Sequence, residues 1–271
     1  MSKANPAVLA ALKALVDDAS VQGGRPLVLG LCGAQGSGKS TLAAALADDL
    51  AGAGKTCAVL SLDDLYLMKA QREQLARQVH PLLATRGPPG THDTQLGIGV
   101  LDALLAGTPV RLPRFDKAKD DRVDLSAWPE VAGRCDVVVF EGWCVGARAQ
   151  APEALAEPVN DLEMTEDAGG QWRAFANAAL AVPYQELFAR IDRLVLLLVP
   201  SFEVVMDWRL EQEEDLRARS GDAPGVMSRG QVARFIQHYE RITRHIFAEM
   251  PGRADLVVRL DTERKPVPTA D

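Results

Sequence analysis

No stretch of this 271-residue chain approaches the ~18 consecutive apolar residues that a membrane-crossing helix needs. The opening Met1-Ser2-Lys3-Ala4-Asn5-Pro6 lacks the apolar centre of a secretory signal. These two absences predict a cytoplasmic protein with no membrane partner. Cysteine is scarce: the chain has 4, at Cys32, Cys57, Cys135 and Cys144, none in C-x-x-C spacing. That usage argues against a zinc ribbon or a disulfide framework and predicts reduced thiols in or beside strands. A basic excess is missing too. The formal net charge of -7 argues against a nucleic-acid partner, whose phosphate backbone is held by clustered Lys and Arg. There is no internal repeat, no low-complexity tract, and no Asn-Lys-x-Asp run of the kind expected of a guanine-specific switch.

What is there is enough for a full core. With 47% hydrophobic and 25% charged residues, the chain suits an α/β protein. Five β-rich runs, at 26–32, 56–62, 135–140, 193–199 and 255–260, alternate with helix-like segments, which predicts a doubly wound, mainly parallel five-stranded sheet. Residues 33 to 40 read Gly33-Ala34-Gln35-Gly36-Ser37-Gly38-Lys39-Ser40, a complete G-x-x-x-x-G-K-[ST] phosphate-binding loop between a strand-like run and a helix-like run that opens at Thr41. Glycines let backbone N–H groups close on phosphates, which then sit at a helix N-terminus carrying partial positive charge. The fold expected is therefore that of a P-loop NTPase, with ATP held by Gly33 through Thr41. Lys39 should reach the β/γ-phosphates, and the Ser40 hydroxyl should ligate Mg²⁺.

Further chemistry falls at strand ends. Ser61-Leu62-Asp63-Asp64-Leu65-Tyr66 delivers two carboxylates to the sheet edge where the phosphate loop opens. One can accept a proton from an attacking hydroxyl while the other supports Mg²⁺ or orients substrate. The third strand runs into Glu141-Gly142-Trp143, where Glu141 is placed to approach the metal through water. Ser40, Asp63 and Glu141 are thus the candidate metal residues. The long stretch of about 67–125, too long for a single crossover helix, is rich in Gly, Pro and charge. It carries Arg86-Gly87-Pro88-Pro89-Gly90-Thr91-His92-Asp93, Leu112-Pro113-Arg114-Phe115-Asp116-Lys117, and Arg122. Donors of this kind suit a small anionic, hydroxylated acceptor, although Lys117 and Lys119 read equally well as solvated surface residues. A helix over Phe202–Ser220 bears Trp208, Arg209, Arg217 and Arg219 and runs into Gly221-Asp222-Ala223-Pro224-Gly225, the pattern of a lid over about 202–227. The acidic stretch 151–170 reads as a solvated surface loop. Ser228 with Gln231 predicts a capping box for the last helix, whose stripe Val232, Phe235, Ile236, Tyr239, Ile242 and Ile246 reads as core.

Together these segments resemble the D-glycerate 3-kinase family of P-loop kinases, relatives of phosphoribulokinase, uridine kinase and pantothenate kinase. The resemblance runs from about Pro26 to Leu260 and rests on Ser61–Tyr66, Arg86–Asp93, Leu112–Lys117 with Arg122, Phe140–Trp143, and Trp208-Arg209 with Gln212-Glu213. It implies that Asp63 is the catalytic base and that Arg86, His92 and Asp93 lie on the acceptor loop. It also implies that Asn160, Glu163 and Asn177 mark an acceptor surface particular to this branch. Relative to the eukaryotic glycerate kinases, the stretch between Lys117 and Arg122 is shorter and a transit segment is missing. The expected protein is one kinase domain over 1–271, a monomer or weak dimer, that moves a phosphoryl group from ATP to a small acid such as D-glycerate. Its expected catalytic set is Lys39, Asp63, Arg209 and Arg217, and its acceptor set is Asp64, Tyr66, Arg86, His92, Asp93, Arg114 and Arg122. A nucleoside or pantothenate-like acceptor, or an idle nucleotide sensor, is the alternative.

Overall fold

A computed structural model of the chain describes residues 4–20, 24–220 and 227–267. Helix α1 (Pro6–Ser20) precedes β1 (Leu27–Gly33), α2 (Lys39–Gly52) and β2 (Cys57–Ser61). Next come α3 (Lys69–Gln78), α4 (Thr94–Ala106) and the short strands β3 (Val110–Arg111), β4 (Phe115–Asp116), β5 (Asp121–Arg122) and β6 (Glu130–Val131). The order continues with β7 (Val137–Gly142), α5 (Asp161–Glu166), α6 (Gln171–Ala181), α7 (Pro183–Phe188) and β8 (Arg193–Leu198). Helices α8 (Phe202–Ser220) and α9 (Arg229–Glu249) and strand β9 (Leu256–Arg259) complete it.

The main sheet has 5 strands in the order β2-β7-β1-β8-β9, every pairing parallel. Side chains along a strand alternate between faces, and both faces here are covered. Leu27, Leu29, Leu31, Val137, Val139, Val195 and Leu197 pack with α1 and α2, as well as with Val205 and Trp208 of α8. Val28, Val138, Phe140, Leu194 and Leu196 turn the other way, onto α4, α7 and the middle of α9. That double coverage explains the near-continuous apolar runs of β7 and β8. The carboxyl ends of β1, β2 and β7 converge because β1 lies next to β7 and β7 next to β2. This brings the phosphate loop, Asp63 and Glu141 to one edge.

The five main strands fall where the sequence predicts them, and Ser228 caps α9 with Gln231 in the expected reciprocal arrangement. The long connection between β2 and β7 is filled by α3, α4 and the antiparallel pairs β3–β6 and β4–β5. One reading needs correction: the acidic segment is not simply solvated. Glu163 is completely buried against Arg241, and Asp167, 2% exposed, pairs with Arg173. Arg241 also donates to the carbonyls of Ala154 and Glu157, and Arg173 to those of Leu155 and Ala156. Two guanidinium groups thus gather a segment that composition marked as polar. Charge counting misses this because buried charge is tolerated once paired and fully hydrogen-bonded. The Gly/Pro loop at 221–225 and the Arg219 side chain lie outside the described residues.

Candidate active site

The phosphate loop turns through two left-handed glycines, Gly36 at φ 80° and Gly38 at φ 84°, the latter capping α2. Gly36 is doubly constrained, since a Cβ there would lie 2.8 Å from the Cβ of Trp208. Side chains are thereby cleared from the path of the backbone N–H groups at the positive end of α2. Ala34 and Ser37 are buried, Thr41 is exposed, and Gln35, Gly36, Lys39 and Ser40 line a cleft of about 220 Å³. The Ser40 hydroxyl donates to Glu141 Oε1 at 2.9 Å. Glu141 is 4% exposed, yet its Oε2 has no partner. An unpaired, buried carboxylate oxygen beside a hydroxyl is a hard-oxygen pair suited to Mg²⁺. Among the described residues no group of 3 or more His, Cys, Asp or Glu is arranged to hold a metal alone, so such an ion would share its shell with phosphates and water.

Asp63 faces this loop across the cleft. The end of β2 passes into a single 3₁₀ turn, Leu62–Leu65, in which the Ser61 hydroxyl accepts the Asp63 N–H at 3.3 Å. Both carboxylate oxygens are engaged: Tyr66 donates its phenol to Oδ1 at 2.7 Å and Lys117 its ammonium to Oδ2 at 2.6 Å. Burial pushes the Asp63 carboxyl up, but the charges of Lys117 and Lys39 and the two hydrogen bonds outweigh it and hold the group well below the usual carboxylate range. Asp64 does different work. It accepts the Phe115 N–H at 3.0 Å and an Arg114 N–H at 3.2 Å, and burial raises its pKa. Of the adjacent pair, Asp63 addresses the cleft while Asp64 fastens β4.

The acceptor-side residues separate in the same way. Tyr66 and Arg86 line the cleft, where Arg86 also pairs with Asp120. Gly87 adopts φ 115°, and a Cβ there would run into the Tyr239 hydroxyl, which itself donates to the Arg86 carbonyl at 2.9 Å. Trp143 joins the end of β7 to this loop by donating to the Gly87 carbonyl at 3.1 Å. His92 stacks on Tyr66 with ring centroids 4.7 Å apart. Its Nδ1 lies 2.5 Å from the Tyr184 hydroxyl, which accepts the Gly90 N–H at 3.1 Å. The His92 Nε2 is buried without a partner, so the Tyr184 hydroxyl is the ring's one hydrogen-bonding neighbour among the described residues. Burial lowers the His92 pKa to about 4, so the ring is neutral near pH 7. Asp93 caps α4 by accepting the Leu96 N–H at 3.0 Å and pairs with Arg122 at 3.2 Å. His92, Asp93, Arg114 and Arg122 build the wall without lining the cleft.

Arg209 of α8 lines the cleft beside Gln212 and is held by Glu213. Arg217 lies away from it, donating to the Met227 carbonyl at 3.3 Å. Asn160, Glu163 and Asn177 meet internal demands: Asn160 caps α5, Glu163 pairs with Arg241, and Asn177 exchanges hydrogen bonds with the Gln150 backbone. Sequence reasoning underrated Lys117 and gave Phe235 and Tyr239 wholly to the core, though both also line the cleft. It missed Arg72, 1% exposed, which donates to the carbonyls of Leu67, Ala84 and Asp120. The motif Leu112–Lys117 pointed toward Lys117; nothing in the polar helix α3 distinguished Arg72.

Comparison with known proteins fits this geometry. The family model of the methylmalonyl-CoA mutase-associated GTPase MeaB matches residues 2–66, the part that contains the phosphate loop. The Schizosaccharomyces pombe protein described as uncharacterized kinase mug58 is 37% identical over 231 residues, spanning 80% of this chain and 79% of that protein. The chloroplastic D-glycerate 3-kinase of Arabidopsis thaliana is 31% identical over 89% of this chain, which spans 54% of the plant protein. A solved D-glycerate 3-kinase from Cryptococcus neoformans superimposes with TM-score 0.80 at 28% identity, over 98% of this chain and 99% of that one. Fold, cleft and relatives define a P-loop small-molecule kinase, an ATP-dependent phosphotransferase. Within that class the chain belongs to the D-glycerate 3-kinase family. Among the described residues no helix is long and apolar enough to cross a membrane.

Proposed function

We propose that this chain transfers the γ-phosphoryl group of ATP to a hydroxyl of a small carboxylic acid, D-glycerate giving 3-phosphoglycerate. The observation that carries this reading is the cleft itself. Asp63 stands opposite Lys39 and Ser40, with Arg86 on the wall contributed by residues 67–125. Lys39 and the loop N–H groups hold the triphosphate. Asp63, oriented by Tyr66, accepts the hydroxyl proton as the acceptor oxygen attacks. Arg86 suits a carboxylate because its planar guanidinium presents paired donors. Ser40 and Glu141 would hold Mg²⁺, which when bound offsets phosphate charge. Tyr66 and Lys117 each occupy one lone pair of Asp63 and orient it, and the hydroxyl proton is accepted on a remaining lone pair. Arg209 acts from α8 on the transferred group, and Arg217 would join it only after rearrangement.

The likeness to the plant and fungal D-glycerate 3-kinases supports the choice of acid. The test is product identity. With ATP, Mg²⁺ and D-glycerate, phosphorus NMR should show a phosphomonoester with the shift and coupling of 3-phosphoglycerate. Release of inorganic phosphate alone would contradict the proposal.

A further inference from the structure

Lys117 has no assigned role, yet much of the acceptor wall is built to hold it in place. It follows β4 at the tip of the hairpin formed by β4 and β5. The base of that hairpin is fastened from several sides. Asp64 accepts the Phe115 N–H, Arg122 donates to the Tyr66 carbonyl at 2.9 Å, and Asp121 accepts the Lys69 N–H at 3.1 Å. Buried Arg72 donates to the Asp120 carbonyl at 2.8 Å and pairs with its carboxylate at 3.0 Å. At the tip, Asp116 Oδ1 accepts the N–H groups of Ala118 at 2.9 Å and Lys119 at 3.2 Å, a turn that fixes the backbone just past Lys117. Lys119, on the same turn, is 82% exposed and points to Asp116, whereas Lys117 reaches back to Asp63.

Stability does not explain that reach. The Lys117 side chain is 60% exposed, and ion pairs so well solvated typically contribute about 0–1 kcal/mol. Charge in the cleft does explain it. Lys39, Arg86, Lys117 and Arg209 line it, and Asp63 is the one carboxylate among its described lining residues. With Arg86 paired to Asp120 and Arg209 to Glu213, the two lysines still leave a positive excess suited to a polyanion. An ammonium has three donors, and the bond to Asp63 uses one. The other two remain available to the cleft that Lys117 shares with Lys39.

We propose that Lys117 is a catalytic residue of the acceptor wall, binding the γ-phosphoryl group while keeping its hydrogen bond to Asp63. It thereby ties the base to the group being transferred, while Lys39 holds the same phosphate from the donor side. In the step itself the bond from the γ-phosphorus to the ADP oxygen breaks and its electron pair leaves with ADP. A bond from the acceptor oxygen to that phosphorus forms, and the hydroxyl proton passes to Asp63. Lys117 keeps its proton throughout and neutralises charge on the equatorial oxygens. The proposal rests on the kinase reading above but not on glycerate being the acceptor.

The test compares Lys117→Met and Lys117→Arg with the wild type in two ways. By calorimetry, Lys117→Met should weaken a non-hydrolysable ATP analogue about tenfold while leaving ADP affinity unchanged, and Lys117→Arg should recover part of the loss. With whichever acceptor the wild type uses, kcat should fall about 10²-fold or more in Lys117→Met, as when one preorganised donor to a transition-state oxygen is removed. Equal weakening of both nucleotides, or affinities and kcat within threefold of wild type, would overturn the proposal. So would a rise in acceptor KM alone, which would assign Lys117 to the acceptor. If D-glycerate is not phosphorylated but another acceptor is, the substrate reading fails and the nucleotide comparison still decides Lys117.

Discussion

The two walls of the cleft are made by different means. The phosphate wall is one run, Gly33 to Ser40, whose shape comes from left-handed glycines and the start of a helix. The acceptor wall is assembled from residues far apart in sequence: Arg122 meets Asp93 across 29 positions, Phe115 meets Asp64 across 51, and Arg122 meets the Tyr66 carbonyl across 56. A triphosphate is the same in every kinase, so backbone geometry suffices to hold it. An acceptor is particular, and a wall made of side-chain pairs can be altered without rebuilding the sheet. This contrast predicts that damage to the phosphate side will be uniform across acceptors and damage to the acceptor side selective.

The largest expected effect lies where the walls meet. Asp63→Asn should lower kcat about 10³-fold while ATP still binds within a few-fold of wild type, and Lys39→Ala should abolish activity with the fold intact. Circular dichroism and calorimetry check both; retained kcat in Asp63→Asn would remove the base from the account. Next come the buried pairs beneath the acceptor wall. Glu163→Ala leaves Arg241 buried without its carboxylate and should cost about 3–5 kcal/mol in denaturant unfolding. A loss under about 1 kcal/mol would mean that segment 151–170 is not pinned as described.

The third prediction concerns pH. The folded His92 pKa is lowered from 6.5 to about 4 by burial, so between those values the unfolded chain binds more protons and stability falls as pH drops. His92→Gln removes that contribution. Its destabilisation relative to wild type should shrink from pH 7 to pH 4 by up to roughly 3 kcal/mol. His238, lowered to about 4 in the same way, leaves a residual slope in the variant. A gap that stays constant with pH would contradict the buried, neutral ring. The smallest effect is the most selective one. Arg86→Ala should raise the acceptor KM about tenfold and leave the KM for ATP unchanged, with Arg86→Lys intermediate. An equal rise in both constants would argue against a carboxylate contact at Arg86.

The same contrast explains how much could be read from the sequence. Phosphate loop, strands and the cap of α9 are local patterns, and each lies where the residues indicate. Asp63 was legible because it follows a strand whose neighbours end at the same edge. The division of labour between Asp63 and Asp64 was not, because it depends on Phe115 and Arg114 arriving from 50 or more positions away. The three acceptor-loop arginines looked equivalent in sequence; only Arg86 faces the cleft, while Arg114 and Arg122 are spent on Asp64 and Asp93. Glu163 was read as solvated because its partner Arg241 lies on α9, 78 positions away and out of reach of any local pattern. Asp167 meets Arg173 only 6 positions on, where it also accepts the Trp172 and Arg173 N–H groups at the start of α6, a local arrangement that composition alone did not show.

The claim at the centre of this account is that the cleft selects a negatively charged acceptor. The most direct measurement is ADP release with D-glycerate and a neutral nucleoside supplied separately and in competition. The account predicts turnover well above the acceptor-free rate with D-glycerate, little with the nucleoside, and no inhibition of the first by the second. ADP release that ignores both acceptors, or a nucleoside that outcompetes D-glycerate, would contradict it.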